Sequence, residues 1–425
     1  MSKQTEGKVP EIRFRGSMGH WHEDLLGEQV EFFSGLTYAP SDVQSGFGAL
    51  VLRSSNVKRG EIVDADNVYV NTDAVNSKNV EIGDIVVVVR NGSRSLIGKH
   101  AQVKSEMPNT VIGAFMTGVH SQRPAFTNAL LDTNQFDSEI AKNLGATINQ
   151  ITTGAFREMA FHFPETASEQ KLIGAYFKSL DRMIGLHQRK HDKLVTLKQA
   201  MLQKMFPQDG ATTPEIRFKG FEGEWRVRTF GDSTLPISSN TLSRADLNYK
   251  SGPAKNVHYG DILVRFEEVL DANNPELPFV TSHENVQKFR SSRLQDGDIV
   301  LADAAEDETV GKCTEIANTG DTIVLAGLHT IAVRPSMTFA PFYLGYFLNS
   351  HAYHNQLLPL MQGTKVLSVS RTTLLDTRVL FPSAEDEQAK IGTYFYNLDK
   401  LISKHATQLE KLKNIKSACL EKMFV

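Results

Sequence analysis

The stretch FPETASEQKLIGAYFKSLDRMIGLHQRKHDKLVTLKQAMLQKMF, residues 163–206, decides the fold of this chain, because it returns as FPSAEDEQAKIGTYFYNLDKLISKHATQLEKLKNIKSACLEKMF at residues 381–424. In both copies apolar side chains recur at steps of three or four, the spacing of a coiled-coil seam. Each copy therefore predicts a helix of about 40 residues, roughly 60 Å long. The seam positions are Leu180, Ile184, His187, His191 and Leu194 in the first copy and Leu398, Ile402, His405, Leu409 and Leu412 in the second.

The sequence also predicts where these helices begin and end. Thr166 with Glu169 forms a capping box, and Ser383 with Asp386 forms a weaker version of the same motif. Pro207 ends the first helix, and a polar linker follows it.

A second repeat opens each half of the chain. PEIRFRGSMGHWHEDLLGE at residues 10–28 returns as PEIRFKGFEGEWRVRTFGD at residues 214–232. A length of 425 residues favours two or three domains, and the repeats favour two. We predict a globular domain, a helical spacer, a linker, a second globular domain and a second spacer at residues 1–163, 164–206, 207–213, 214–381 and 382–425.

The globular segments share a weaker skeleton. Gly83-Asp84 corresponds to Gly297-Asp298 and Gly98-Lys99 to Gly311-Lys312, and the run from Asn56 to Val63 is matched with the run from Asn256 to Leu263. Short β-branched runs bounded by Gly-Asp turns indicate strands. We therefore expect a mixed α/β fold in which each globular domain is built around a curved sheet.

Composition excludes several classes of protein. With 46 basic and 49 acidic residues, the chain lacks the basic balance of a stand-alone nucleic-acid binder. Cys313 and Cys419 lie too far apart in sequence for a thiolate zinc motif. The start of the chain has no apolar leader, and the longest aliphatic run, Ile85–Val89, is too short to span a bilayer. We expect a cytoplasmic protein.

The sequence also lacks the motifs of nucleotide and cofactor chemistry. It contains no G-x-x-x-x-G-K-[ST] loop, and Asn274-Pro275-Glu276 lacks the second proline and the aromatic residue of an adenine methyltransferase motif. His187 and His191 could clip a metal, but their place on the seam favours packing. We therefore predict no catalytic residue, no metal site and no cofactor on this chain.

The two globular segments differ in charge at corresponding positions. After Gly83-Asp84 the first carries the basic run Arg90–Arg94, whereas after Gly297-Asp298 the second carries the acidic run Asp303–Glu308. Arg and Asn suit guanine and adenine edges, and carboxylates accept from the cytosine amino group. The simpler interpretation, that both runs are ordinary surface loops, stays open.

The order and duplication of these motifs resemble the specificity (S) subunit of Type I restriction-modification systems, from Pro10 to Phe424. The openings P-E-I-R-F-x-G with G-x-W, and the helix starts E-Q-x-x-I-G with F-x-x-L-D, carry the resemblance. It implies two target recognition domains, each reading one half of an interrupted, asymmetric DNA sequence. Their two long helices would pack antiparallel with pseudo-twofold symmetry and act as a ruler.

The resemblance also implies the partners. The helices would dock two methyltransferase (modification) subunits, which carry S-adenosylmethionine and methylate the N6 of adenine, and restriction or translocase subunits could join them in phage defence. This chain would itself be non-catalytic. The predicted contacts with double-stranded DNA are Arg90, Asn91, Ser93, Arg94 and Lys99 in the first domain and Arg265, Lys312, Thr364, Lys365 and Arg371 in the second.

Two other classes of protein fit part of the same pattern. One is a coiled-coil scaffold that binds proteins rather than DNA, which the near-neutral charge suits. The other is a self-contained DNA-modifying enzyme with catalytic residues of an unfamiliar pattern. Salt-dependent binding to duplex DNA would count against the first, and inactivity of the purified chain would count against the second.

Overall fold

The structure, a computed structural model, describes residues 8–144, 149–208 and 210–425. The chain divides into two compact units. The first unit comprises residues 1–188 and 407–425, and the second comprises residues 189–406. Each unit therefore contains one globular domain, the beginning of the helix that follows that domain and the end of the other long helix.

The first unit is mixed α/β. Its strands are β1 (His22–Leu25), β2 (Glu31–Ser34), β3 (Val43–Gln44), β4 (Ala49–Leu52), β5 (Val57–Lys58), β6 (Glu61–Ile62), β7 (Val68–Val70), β8 (Ile85–Val88), β9 (His100–Gln102), β10 (Thr110–Ile112), β11 (Met116–His120) and β12 (Ala160–Phe163). Its helices are α1 (Leu26–Gln29), α2 (Pro124–Leu131), α3 (Asn134–Asn143), α4 (Thr153–Arg157) and the long α5 (Ala167–Lys204), which continues into the second unit.

The second unit repeats this plan with five-stranded instead of four-stranded sheets. Its strands are β13 (Arg226–Thr229), β14 (Thr234–Ile237), β15 (Leu247–Asn248), β16 (Ala254–Val257), β17 (Val269–Asp271), β18 (Phe279–Val280), β19 (Arg293–Leu294), β20 (Ile299–Ala302), β21 (Ala304–Ala305), β22 (Cys313–Ala317), β23 (Val324–Ala326), β24 (Thr330–Pro335), β25 (Leu367–Ser368) and β26 (Arg378–Phe381). Its helices are α6 (Phe230–Ser233), α7 (Tyr259–Val264), α8 (His283–Lys288), α9 (Tyr343–Asn349), α10 (His351–His354), α11 (Arg371–Leu374) and the long α12 (Glu385–Met423).

Sheet topology shows that the two globular domains share one frame. The first has sheets of order β2-β11-β8-β9 and β10-β4-β7-β3, and the second has β14-β24-β20-β22-β17 and β15-β18-β16-β23-β19. In the first, β8 lies beside β11 with Val86 opposite Gly118; in the second, β20 lies beside β24 with Val300 opposite Ala332. The predicted mixed α/β fold with two long helices is confirmed.

One part of the predicted skeleton is wrong. The register of the parallel strand pairs makes Val51, opposite Val111, the counterpart of Asn256, opposite Leu325. Residues 57–62 form the β5–β6 hairpin, whereas residues 259–264 form helix α7. The similar strings beginning at Asn56 and Asn256 therefore occupy different places in the two domains, because a short match carries no information about strand pairing.

At the start of the first long helix the Thr166 half of the predicted capping box forms, while the Glu169 carboxylate binds Arg13 instead. The cap predicted for the second long helix does not form. Thr166 Oγ1 accepts a hydrogen bond from the Glu169 amide at 3.3 Å. Helix α12 begins at Glu385, so the residue before it is Ala384, which has no side-chain acceptor. Ser383 instead accepts a hydrogen bond from Arg226 at 2.9 Å. The capping box predicted at Ser383 and Asp386 is wrong.

The repeated openings dock onto the long helices. The Arg13 guanidinium forms two hydrogen bonds of 2.8 and 2.6 Å with the buried Glu169 carboxylate. Arg217 repeats this pairing with Glu387 at 2.6 and 2.8 Å. The matching glutamates are thus ion-pair partners, which explains why the two repeats share this Arg and Glu although they lie more than 150 residues apart.

Each unit also contains an aromatic cluster that holds two antiparallel helix segments. In the first, Phe424 at the end of α12 packs on Trp21 and Phe177, with ring centroids 5.9 and 6.0 Å away. In the second, Phe206 packs on Trp225 and stacks on Phe395, with centroids 6.3 and 5.8 Å away. Burial of several large rings at one place supplies much of the apolar stabilisation of each unit.

Within the described ranges, no helix has the combination of length and apolar content that a membrane span needs. The same residues include no group of three or more His, Cys, Asp or Glu side chains placed to hold a metal ion. His191 lies 3.1 Å from Asp192, so its ring is engaged by a neighbouring carboxylate.

Candidate nucleic-acid interface

Three chain segments meet where β8 of the first unit ends. They are Val89-Arg90, Phe115 in the turn before β11, and residues 149–151 in the return segment before α4. Val89 accepts a backbone hydrogen bond from Ile151 at 2.9 Å, and Asn91 donates one to Asn149 at 3.3 Å. We name this meeting point the first corner.

A β-bulge shapes the first corner. Both Val89 and Arg90 donate backbone hydrogen bonds to the Phe115 carbonyl, at 3.0 and 3.2 Å. Two residues facing one is the signature of a bulge, which can re-aim a side chain. Here the Arg90 guanidinium carbon lies 4.8 Å from the centroid of the Phe115 ring. Because both residues are exposed, the pair presents a cation stacked on an aromatic face to solvent.

The other predicted contacts of the first domain follow Arg90 in one segment. Asn91 shapes the segment, since its amide nitrogen donates to Ser54 at 2.9 Å and its amide oxygen accepts from the Ser93 backbone at 2.9 Å. Arg94 and Lys99 are exposed. The structure thus brings the predicted residues Arg90, Asn91, Ser93, Arg94 and Lys99 together in the connection from β8 to β9.

The equivalent second corner lies at the end of β20. The Asp303 backbone amide donates to the His329 carbonyl at 3.2 Å, and the Asp303 carbonyl accepts from Val369 at 2.9 Å. The Asp303 carboxylate oxygen Oδ1 lies 3.4 Å from Nδ1 of His329. Desolvation by burial raises the pKa of Asp303, and the neighbouring His329 ring opposes that effect. Tyr259 supports the His329 ring edge to face, with centroids 5.3 Å apart.

The predicted contacts of the second domain are more scattered. Arg265 donates to the Tyr249 hydroxyl at 3.1 Å and lies over that exposed ring. Lys312 donates to the Leu263 carbonyl at 3.2 Å beside an acidic groove that includes Glu268 and Asp307. Both basic side chains are therefore held by hydrogen bonds within the second domain.

The remaining predicted residues of the second domain lie near its last strands. Thr364 and Lys365 are exposed in a loop whose following strand, β25, pairs with β21 directly after Asp303. This pairing brings the loop beside the second corner. The sequence-based counterpart of the loop starts at Gly145, which is outside the described residues. Arg371 donates to the carbonyls of Ile237 and Ala332 at 2.8 and 3.4 Å, so its guanidinium supports the sheet.

Sequence reasoning missed a basic groove in the second domain. The groove, of about 710 Å³, is lined by Arg290, Arg293 and Arg334 together with hydroxyl residues, and its lining includes no carboxylate side chain. The buried Asp298 fixes Arg334 with two hydrogen bonds of 2.8 and 2.7 Å. In the first unit the corresponding Asp84 contacts His120 at 2.7 Å. Asp298 therefore neutralises Arg334, whereas Arg290 and Arg293 form no ion pair with a described carboxylate and suit phosphate groups.

Comparisons with known proteins agree with this architecture. Residues 31–196 match the family described as Type I restriction modification DNA specificity domain. The Type I restriction enzyme EcoKI specificity subunit of Escherichia coli strain K12 is 22% identical over 396 residues, which span 88% of this chain and 81% of that protein. The crystal structure of a Type-I restriction-modification system S subunit from M. genitalium matches with a TM-score of 0.60 and 12% identity, covering 98% of this chain and 99% of that one. Residues 31–196 are therefore similar to a Type I restriction-modification DNA specificity domain, and the chain shares the fold of a Type-I restriction-modification system S subunit.

Proposed function

We propose that this chain is the sequence-reading subunit of a Type I restriction-modification complex. Its two globular domains, residues 1–163 and 214–381, each read one half of an interrupted, asymmetric DNA target. The long helices set the distance between the half-sites, because half-site spacing follows protein geometry in binders with two reading elements. They also dock two methyltransferase subunits and, in a restricting complex, nuclease or translocase subunits.

This proposal rests on one observation: the two domains share the same strand arrangement but carry different side chains at the corners. Both domains fix the corner strand in the same way: Gly98 donates to the Val88 carbonyl at 2.9 Å, and Gly311 donates to the Ala302 carbonyl at 2.9 Å. At the end of that strand one domain presents Arg90 and the other presents Asp303. Two domains that share the same strand arrangement but carry different side chains at its end suit a protein that reads two different half-sites.

The basic groove supports a role in DNA binding despite the net charge of −3. Half or more of protein–DNA hydrogen bonds go to the sugar-phosphate backbone. Arg290 and Arg293, which form no ion pair with a described carboxylate, place positive charge in this groove of the second domain. We infer that this groove takes backbone phosphates beside the second half-site.

The exposed faces of the long helices suit the docking of partner subunits. Of the seam residues predicted for docking, Leu180, Leu398 and Leu409 are buried and serve packing. Other apolar side chains are exposed: Leu172, Met183, Leu186 and Leu197 on α5, and Leu401 and Ile415 on α12. At 3.6 residues per turn, the four on α5 fall within roughly 60° of one another. They form one stripe.

Two of these exposed positions recur in both helices. In the repeat Met183 corresponds to Leu401, and Leu197 corresponds to Ile415. An apolar residue that is exposed in both copies favours contact with the same partner twice. The duplication therefore supports two copies of one methyltransferase subunit.

The chemistry in this proposal belongs to the partners. S-adenosylmethionine is bound by the methyltransferase subunits, which methylate an adenine N6 after the base leaves the stack. The chain itself is non-catalytic, holds no cofactor and works in the cytoplasm. Its contribution is to choose the sequence and to position its partners on it.

Co-expression tests the proposal. The chain and the methyltransferase encoded beside it are produced in a host that lacks other adenine methylation, and methylated adenines are mapped across the genome. The expected result is a split, asymmetric motif that disappears when either protein is omitted. An uninterrupted motif, or methylation by the purified chain alone, would overturn the proposal. Binding of the complex to duplex DNA should also weaken steeply with salt, which a protein-binding scaffold would not show.

A further inference from the structure

The two corners are structurally equivalent although their sequences differ. Val88 donates to the Lys99 carbonyl at 2.8 Å, and Ala302 donates to the Lys312 carbonyl at 2.9 Å. Met116 lies opposite Val88, and Thr330 lies opposite Ala302. The next residues toward each corner are Phe115 and His329. These two side chains therefore occupy the same position in the two domains.

The bulge accounts for the one difference in backbone. The segment from Val88 to Gly98 is one residue longer than the segment from Ala302 to Gly311. The extra residue is accommodated where Val89 and Arg90 both face Phe115, whereas Asp303 faces His329 alone. At the end of equivalent strands, a charged side chain thus lies next to a ring: Arg90 next to Phe115, and Asp303 next to His329.

The hydrogen-bonding character of the two corners is opposite. Among the described residues, none accepts a hydrogen bond from the Arg90 guanidinium, whose contact with Phe115 uses the face of the ring. Five N–H donors are available on an arginine head group. Asp303 offers only acceptors when ionised: its buried Oδ1 lies 3.4 Å from Nδ1 of His329, and no described group donates a hydrogen bond to the other carboxylate oxygen, Oδ2.

We propose that the two corners are the base-edge sites of the two domains. Arg90, held on Phe115, takes the O6 and N7 acceptors of a guanine in one half-site. Asp303, held by His329, takes the exocyclic amino group of a cytosine or an adenine in the other. This inference rests on the proposed function and deepens it, because it assigns the chemistry that makes the half-sites unlike.

The test uses the complex of the chain with its methyltransferase and follows the methylated motif. Arg90→Gln should relax one guanine position of one half-site by about 10- to 100-fold in preference and leave the other half-site unchanged. Asp303→Asn should change one position of the other half-site only. Arg157→Gln and Glu276→Gln, exposed residues away from the corners, are the matched controls and should leave the motif intact.

Modified oligonucleotides give an independent readout in binding assays. Replacing the guanine by 7-deazaguanine removes the N7 acceptor, so it should weaken binding by the wild-type complex and have little further effect on the Arg90→Gln complex. Removing the amino group of the second base should likewise affect the wild type and spare Asp303→Asn. Phe115→Leu keeps the arginine but removes its support, and it should relax the same guanine position.

The outcomes separate this inference from the proposed function. If the wild type yields no split motif, the proposed function fails. If the wild type yields a split motif and both corner variants retain it, the inference alone is overturned. A uniform loss of binding to all sequences on Arg90→Gln would identify a phosphate contact and would also overturn it. Near-wild-type thermal unfolding of each variant confirms that the changes are local.

Discussion

Lys198 on α5 lies 2.7 Å from the Asp399 carboxylate on α12, and the repeat-related Lys416 on α12 lies 2.6 Å from Asp181 on α5. Each lysine also contacts a carboxylate of the globular domain in the same unit. Lys198 lies 2.7 Å from Glu268, and Lys416 lies 2.7 Å from Asp132. The same device therefore fastens a globular domain to a pair of helix segments in each unit. These ion pairs therefore hold each globular domain against the helix segments of its own unit.

Loss of Lys198 should lower the free energy of unfolding of the second unit. Lys198→Met leaves Glu268 and Asp399 facing each other, largely buried and without a cation. Removing one partner of such a cluster should cost about 3 kcal/mol of unfolding free energy, measured by urea denaturation. Lys204→Met, whose partner Glu215 is exposed, is the matched control and should cost less than about 1 kcal/mol. Equal losses in the two variants would contradict the buried-cluster account.

A buried glutamate should make the second unit sensitive to pH. Desolvation by burial raises the pKa of Glu315 to about 7, although the backbone amides of Gly345 and Phe342 donate to it. The folded protein then holds a proton that the unfolded chain releases near pH 4.5. The free energy of unfolding should therefore fall as pH rises from about 4.5 to about 7.

Glu315→Gln provides the check on this titration. Because glutamine does not titrate, the variant should lose that part of the pH dependence, which is measured by denaturation at several pH values. Glu276→Gln, an exposed glutamate of the same unit, should keep the wild-type profile. A wild type whose stability rises across this interval would show that the sign is wrong.

The arginine groove should contribute to DNA affinity without contributing to sequence preference. Replacing Arg290 and Arg293 by Gln should weaken binding of the complex to all duplexes alike. Each lost phosphate contact should also reduce the slope of log K against log salt by about 1. Titrations at several salt concentrations measure this slope. A changed methylation motif in these variants would instead place the groove against base edges.

The exposed apolar residues of the two long helices should control assembly with the methyltransferase. Leu197→Glu and Ile415→Glu put a charge at equivalent exposed positions of the two long helices. Each should weaken the association of one methyltransferase subunit, and the double variant should weaken both, as measured by the mass of the complex in solution. Thr196→Glu, on an exposed position beside Leu197, is the control. Unchanged stoichiometry in the double variant would exclude this face as the docking site.

The sequence alone predicts the long helices well. The spacers predicted at residues 164–206 and 382–425 contain helices at Ala167–Lys204 and Glu385–Met423. This succeeds because apolar periodicity over ten turns is a strong signal. The second cap was predicted wrongly because Ser383 lies one residue too early, and only the backbone geometry identifies Ala384 as the residue before the helix.

The corners show why the candidate site could be predicted only in part. The basic and acidic runs containing Arg90 and Asp303 are visible as differences between two aligned segments. Their ring partners, Phe115 and His329, lie some 25 residues further along the chain and come into place only through strand pairing. The bulge that turns Arg90 onto its ring leaves no signal beyond one extra residue.

The most direct test of the central claim is to give the chain the same reading domain twice. Residues 226–381 are replaced by residues 22–163, so that the matched strand pairs β1–β12 and β13–β26 provide the junctions. The measurement is the map of methylated adenines in cells that also produce the methyltransferase. We expect a split motif in which both halves carry the half-site of the first domain. Retention of the original asymmetric motif would contradict it.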